Sequence, residues 1–437
     1  MNPRKTIIIA GLLAAAVTVS PAQEAANKEV ITIPKEQFQK LLEDMQELKA
    51  FKARFEAFQK KTTEQQAETD QSIDDLSKET KAAKQMAKDS FPGSTKLLMT
   101  GYGSAGFISQ DHGGEKKFSA TFNPIFLWKI NDRLLFEAEL EAQLEGTGTG
   151  IALEMAQFSY LVNDYMTIGA GKFLNPMDYF VERQHMAWVN KLPDKPLAVY
   201  DGLLPETQLG IQIRGGVPVG PTKFSYAFYL ANASALNADT NTMAPGDLGT
   251  QEFNNFDNVG KHLAVGGRIG FSPFPELEIG YGFQLSDVAP PQSGSANSLL
   301  QSVDLSYVRD SERLKGVINL KAQWVWSNIG RYTYDPSGTI GGPYLFNNSR
   351  NGGYVQLAYR PSRVSNSFLK NLEPVFRYDM LSQARTPTGT DETRYTFGLN
   401  YWLGPMSVIK VAYEIDQQSG PNADRHNAVL VQFATGF

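Results

Sequence analysis

Residues Phe136–Glu145 read FEAELEAQLE. Phe136, Ala138, Leu140, Ala142 and Leu144 fall on one face; Glu137, Glu139, Glu141, Gln143 and Glu145 fall on the other. A period of two with a wholly apolar face and a wholly polar one defines a strand standing between two unlike environments. The grammar recurs in FSYAFYL (Phe224–Leu230), in RYTFGLNY (Arg394–Tyr401) and in the last residues, NAVLVQFATGF (Asn427–Phe437). There Val429, Val431, Phe433, Thr435 and Phe437 share one side, and Leu430, Gln432, Ala434 and Gly436 share the other.

Sixteen such stretches can be counted. They are 97–107, 117–128, 133–146, 151–162, 164–173, 206–215, 222–231, 261–271, 276–287, 300–309, 314–327, 352–360, 373–382, 393–402, 407–416 and 427–437. A soluble sandwich would also alternate, so alternation alone does not place them in a membrane. Three further features do. The connections alternate short and long, with short joints at 131–132, 163–164, 216–222, 272–275, 310–313 and 403–405, and long ones at 174–205, 232–260, 288–299 and 328–351; only 361–372 is longer than this rule prefers. Aromatic residues (Trp128, Tyr160, Phe271, Tyr307, Tyr359 and Tyr401) precede the short joints, as a girdle at a lipid–water boundary would. The face opposite the apolar one carries full charges, which suits a water-filled interior. From residue 95 onward there are about 21 residues per strand, ample for crossings of 9–11 residues. The expected fold is an all-β, 16-stranded antiparallel transmembrane barrel over residues 95–437, with the last strand pairing with the first because a closed barrel leaves no free edge.

The N-terminal part is built differently. Residues 1–22 carry Arg4 and Lys5, an apolar run to about Val19 and the small residues Ser20-Pro21-Ala22. This is the pattern of a cleaved secretory signal, and the apolar run is too short to span a bilayer. Residues 35–90 contain neither glycine nor proline. With Phe38 at position a, heptads place Phe38, Met45, Ile73 and Ala87 at a and Leu41, Leu48, Phe55, Leu76 and Ala83 at d. Lys52, Gln59, Thr62, Gln66 and Thr69 interrupt the middle of the seam. The unbroken register predicts an α-helical coiled coil, and a polar helix this long is marginal alone. Its simplest partner is another copy, giving a homotrimer or other oligomer, and residues 23–94 form a periplasmic stalk. Phe91-Pro92-Gly93 ends the helix; all of the 38 glycines but Gly11 lie beyond residue 90.

Composition excludes several functions. The net charge of −5 gives no basic field for nucleic acid, and the lack of cysteine removes disulfides, thiolate metal sites, a cysteine nucleophile and a lipid-anchored N-terminus. The four histidines (112, 185, 262 and 426) have no ligand spacing, so no metal or other cofactor is expected. GYGSAG (Gly101–Gly106) matches a dinucleotide fingerprint but lies inside a strand with no helix following. No nucleophile elbow or other catalytic group is apparent, and an enzyme is not expected.

Strand phase assigns the lumen wall. Its bases are Arg214, Lys223, Arg268, Lys315, Lys321, Arg360, Arg377, Arg394 and Lys410; its acids are Glu137, Glu139, Glu141, Glu145, Glu278, Asp304, Asp379 and Glu414. Four of the acids share the strand 133–146, and six of the bases lie on strands between 314 and 416, an arrangement that implies a field across the pore. The loop 174–205, LNPMDYFVERQHMAWVNKLPDKPLAVYDGLLP, is too apolar for a free surface loop. It is either an ordered outer cap or a segment folded into the lumen; in the second case Asp178, Glu182, Arg183 and His185 meet the passing solute.

IGAGKFLNP (Ile168–Pro176) before a long loop, LEPVFRYDML (Leu372–Leu381), YTFGLNYWL (Tyr395–Leu403) and IKVAYE (Ile409–Glu414) resemble the phosphate-selective porin O/P family. The stalk is similar to that of DcaP-like porins. The resemblance implies a trimeric outer-membrane porin passing small hydrophilic solutes or ions by diffusion, with the loop 174–205 narrowing the lumen. It also implies that terminal Phe437 is an assembly signal read by outer-membrane assembly machinery. Phosphate specificity needs a dense run of arginine or lysine along the path, which this chain does not show. The expectation is therefore a general porin, set against an anion- or phosphate-selective channel and against an outer-membrane anchor whose trimeric coiled coil tethers the lipid bilayer to peptidoglycan.

Overall fold

The computed structural model describes residues 96–437 apart from 112–113, 146–147, 201, 240–247, 254–262, 291–292, 384–390 and 421–424, together with the helical residues Lys49, Lys52, Lys60, Lys78 and Lys81. The expected signal segment and nearly all of the heptads lie outside the described residues. The chain divides into two units, Met1–Ser90 and Phe91–Phe437. Among the described residues, no helix is long and apolar enough to cross a membrane.

The described residues of the second unit form eighteen strands. The first seven are β1 (Leu97–Gln110), β2 (Lys116–Lys129), β3 (Leu134–Glu145), β4 (Gly148–Asn163), β5 (Met166–Leu174), β6 (Thr207–Val219) and β7 (Thr222–Ala231). Two short strands, β8 (Ala235–Leu236) and β9 (Gln251–Glu252), pair only with each other. Then follow β10 (Ala264–Phe274), β11 (Leu277–Asp287), β12 (Asn297–Ser311), β13 (Gly316–Tyr334) and β14 (Tyr344–Arg360). The series ends with β15 (Leu372–Ser382), β16 (Asp391–Trp402), β17 (Ser407–Ser419) and β18 (Arg425–Gly436). Sixteen of them, all but β8 and β9, form one closed barrel in which every strand pairs with its neighbours in sequence order.

Closure is made by β1 and β18, antiparallel, from Tyr102 opposite Gly436 to Gln110 opposite Ala428. Beyond the ladder, the Phe437 carbonyl accepts from Gly101 N at 3.1 Å and Thr100 Oγ1 at 2.6 Å, and the Phe437 ring stacks on Phe122 at 5.7 Å. Among the described residues, the barrel sheet itself has no free edge strand.

The alternation sets the two surfaces. On β18, Val429, Val431, Phe433 and Phe437 are exposed on the outside, while Ala428, Leu430 and Ala434 are buried inside. Phe224, Phe228, Ile269, Ile279, Tyr395, Phe397 and Val411 continue the same apolar band around the barrel. The inside is polar. Gln212 donates to Gln157 and Gln208 to Gln284, both at 2.8 Å, and Tyr229 donates to Gln284 at 2.8 Å. Apolar outside with hydrogen-bonded polar groups inside inverts a soluble sandwich and is the pattern of a barrel in lipid.

Several expectations need correction. Lys315 is not on the lumen wall. The strand begins at Gly316, and Lys315 closes the turn after β12 with φ 53°, its N–H donating to the Glu312 carbonyl at 3.2 Å. The segment 328–351 is not a plain loop. β13 and β14 run on past the barrel as a hairpin, with Tyr334 opposite Tyr344. Its tip is organised by Asp335, whose carboxylate accepts from the N–H groups of Thr339, Ile340 and Gly342. The joint between β6 and β7 is only Gly220-Pro221, with the glycine at φ 60°, a region open to glycine in two-residue hairpins. Hydrophobic residues of the long loops cover one another: Leu236, Leu248, Val288 and Ala296 pack with Ile329 and Tyr334 of β13.

Candidate functional site

The connection between β5 and β6, residues 175–206, turns into the barrel. Its neck is tied by Asn175, whose backbone N–H donates to the Glu206 carbonyl at 2.8 Å and whose side chain donates to the Pro205 carbonyl at 2.7 Å. Asp178 then caps the helix α1 (Tyr179–Gln184), accepting from Phe180 N at 3.1 Å and Val181 N at 3.2 Å. The cap explains why a helix starts here. It also means that Asp178 is not a solute-facing group: it is fully buried, and burial pushes its carboxyl up to about 8.

The helix and the segment after it are held by the wall of the barrel. Met177, Phe180, Val181, Ala198, Val199, Leu203 and Leu204 are buried against Leu300, Val325, Tyr354 and Leu381 of β12–β15. Phe180 meets Tyr354 edge-on at 6.0 Å, and Gln184 donates to the Tyr354 hydroxyl at 3.1 Å. Further along, Leu192 sits under Ala358, Val375, Ala412, Ala428 and Leu430, and Trp188 packs against the cluster of Trp402, Val408 and Ala434. Each large side chain so buried contributes about 1.5–3 kcal/mol. The apolar character of this loop in sequence is thus spent on the inner wall.

Polar anchors accompany the apolar ones. Arg377 is fully buried: Nε donates to Asp379 at 2.7 Å, Nη1 to the Asp194 carbonyl at 3.0 Å and Nη2 to the Lys195 carbonyl at 3.1 Å. Lys410 donates to the carbonyl of Ala187 and, at 2.8 Å, to Gln432. Arg394 pairs with Asp194 of the loop and with Asp416 at 2.7 Å. Asn400 donates to the Lys191 carbonyl at 2.8 Å, and Lys191 pairs with Glu373 at 2.8 Å. Arg377, Arg394 and Lys410 therefore point inward as strand phase requires, yet they hold the loop instead of forming an open basic wall. The field across the pore inferred from strand phase is correspondingly reduced.

The remaining candidates gather at two places. Near the middle, Glu139 accepts from the Tyr102 hydroxyl at 2.9 Å and lies 3.6 Å from His185 Nε2 of the loop. Glu137 beside it accepts from Gln157 at 3.2 Å, and Glu141 continues the same inward face of β3. On the short-turn side, Tyr179 of α1 lies among three cations: Arg183, Arg268 and Lys321 stand 5.3, 5.4 and 5.5 Å from its ring centroid. Arg268 forms a two-point pair with Asp304 at 2.6 and 2.8 Å, Arg183 pairs with Glu278 at 2.9 Å, and Arg214 pairs with Glu182. Sequence reasoning missed Tyr179, Gln184 and Gln323; the Gln323 side chain accepts from Phe180 N at 3.1 Å. Strand phase marks Gln323 as inward, but nothing local marks its partner 143 residues earlier.

Two cavities flank the loop. One, about 510 Å³, opens on the long-loop side and is lined by Gln110, Asp194, Glu392, Arg394, Asp416 and His426 among others. The other, about 290 Å³, lies on the short-turn side and is lined by Thr167, Pro176, Glu182, Arg183, Arg214, Lys223 and Arg268 among others. No group of residues that could hold a metal ion occurs among the described residues.

A closed sixteen-strand antiparallel barrel, apolar outside, polar inside and carrying a long loop within, has the architecture of outer-membrane porins. Solved structures share it. OmpF of Salmonella typhi, determined in complex with daunomycin, matches 78% of this chain and 97% of its own at 12% identity, with a TM-score of 0.52. The outer-membrane channel DcaP of Acinetobacter baumannii also matches 78% of this chain and 97% of its own, at 12% identity and a TM-score of 0.52. At these identities the likeness is one of fold. No protein-family profile matches the sequence, and no curated protein matches it.

Proposed function

We propose that the chain is an outer-membrane porin through which small hydrophilic solutes or ions diffuse passively, with residues 175–206 narrowing the lumen. The supporting observation is a loop of 32 residues laid along the inside of a polar-lined closed barrel and anchored there from β12 round to β18. Anchoring by buried apolar and ionic contacts keeps such a constriction rigid while leaving flanking cavities for water. Glu141, Glu182, Arg183 and His185 are the groups placed to meet a solute, with Glu139 buried behind His185, and charged groups in a narrow pore bias ion passage. The ion pairs around Tyr179 mix both signs, which favours a general porin over a phosphate-specific one.

Planar-bilayer recording of the purified, heat-modifiable oligomer tests this reading. Three equal conductance steps are expected from a homotrimer, and reversal potentials in a salt gradient should show mild selectivity. A folded oligomer that inserts without conducting contradicts the channel. Saturation by phosphate with strong anion selectivity contradicts the general-porin form.

Phe437 belongs to the same proposal as an address for the outer-membrane assembly machinery. Its carbonyl and ring also complete the closing seam, so both roles converge on one residue. Deleting Phe437 is expected to reduce the amount of barrel reaching the membrane more than it lowers the unfolding midpoint of the barrel that forms. Normal insertion of the variant would remove the addressing role.

A further inference from the structure

The charged groups that line the two cavities, loop anchors among them, are sorted along the pore axis. The cavity on the long-loop side carries Asp194, Glu392, Glu414 and Asp416 against Lys195 and Arg394; Arg394 pairs with Asp194, Glu392 and Asp416 and offsets one acid's charge, which leaves two more acids than bases. The cavity on the short-turn side carries Arg183, Arg214, Lys223 and Arg268 against Glu182. Glu278 and Asp304, just behind its wall, pair with Arg183 and Arg268 and offset two of those bases, yet bases still outnumber acids by four to three. Lys321, facing Tyr179 at 3.2 Å, adds another cation to the same side. The loop 175–206 lines both cavities and stands between them.

We propose that the lumen is an ionic rectifier, passing more current when the long-loop side is positive than when it is negative. The inference rests on the lumen conducting at all. An acidic vestibule enriches mobile cations and a basic one enriches mobile anions. With the long-loop side positive, both populations are driven toward the loop from opposite sides, so the narrow zone fills with carriers and conducts well. With the polarity reversed, both are drawn away and the zone is depleted. Wall charges reach across a vestibule only when screening is weak. The Debye length is about 10 Å at 0.1 M salt and about 3 Å at 1 M, so the asymmetry belongs to low salt.

Lys223 is the group to alter. It is exposed on the short-turn cavity at the start of β7, and among the described residues no side-chain hydrogen bond or ion pair ties it to the fold. Single-channel currents of the full-length oligomer are compared at opposite voltages in KCl. In about 0.1 M salt the ratio of currents is expected to be about twofold, falling toward one at about 1 M. Lys223→Glu should bring the low-salt ratio toward one. Because the chain has no cysteine, Lys223→Cys provides a unique thiol, and the chamber from which an anionic thiosulfonate blocks current identifies the short-turn side. Equal currents at low salt, the opposite direction, or a ratio unmoved in Lys223→Glu would each overturn the rectifier while leaving the porin standing. Absence of conductance at 1 M in folded, inserted oligomer would instead overturn the porin reading itself.

Discussion

Arg377→Ala is expected to destabilise the barrel by about 3–5 kcal/mol, the cost typical of removing one member of a buried ion pair. Both Arg377 and Asp379 are fully buried, so truncation leaves the Asp379 carboxylate without its partner at 2.7 Å. It also strips the carbonyls of Asp194 and Lys195 of their donors. Those carbonyls belong to the loop, so the same change frees the segment around Asp194 from β15. Two readouts should move together: a lower urea midpoint for loss of the heat-modifiable form, and larger, noisier single-channel current. Arg363→Ala is the control. Arg363 pairs with Asp310 at 2.7 Å on an exposed short turn, where such pairs contribute little. Replacing both buried partners with apolar residues, Arg377→Met with Asp379→Leu, should recover part of the stability but not the quiet baseline, because the carbonyl donors are still missing. A stable, quiet Arg377→Ala channel would show that the apolar anchors alone position the loop.

Gly215→Val is expected to abolish folding of the barrel, a penalty beyond the roughly 1–3 kcal/mol usual for overpacking. Gly215 lies in β6 opposite Met166 and Tyr226. A Cβ there would fall inside the contact distance of the Tyr165 carbonyl oxygen, and 2.8 Å from the Tyr226 hydroxyl that donates to the same carbonyl. Backbone in a paired turn cannot yield as a side chain can, so relief requires the β5–β6 pairing to shift. A shift by one residue would turn every lipid-facing side chain of β6 into the lumen. Gly148→Val is the matched control, since nothing stands within 4 Å of a Cβ at that position. Loss of the heat-modifiable band in the first variant and its retention in the second is the expected result. Equal folding of both would mean that the short turn adapts.

Much of this architecture is legible in the chain itself. The alternation of Phe136–Glu145 and of Asn427–Phe437 assigns the lipid and lumen faces directly, because a period of two is a property of neighbouring residues. Counting such stretches yields sixteen barrel strands, and the apolar residues of 174–205 mark a loop that needs a surface to cover. Boundaries were less legible. Lys315 reads as part of a strand, yet the turn after β12 claims it, and β13 and β14 extend past the barrel because Tyr332 and Tyr334 can pair and pack against the loops 232–263 and 288–296.

Which charges face the water was decided only by the tertiary structure. Strand phase says that Arg377, Arg394 and Lys410 point inward, but it cannot say what lies over them. The cover comes from Ala187, Asp194 and Lys195, some 180–220 residues away along the chain. The same folding-over sets the charge order along the axis. Residues on different strands share a vestibule according to their height in the barrel, which register and closure fix. Alternation is local and survives in one dimension; burial by a distant segment is not, and a sequence read residue by residue does not contain it.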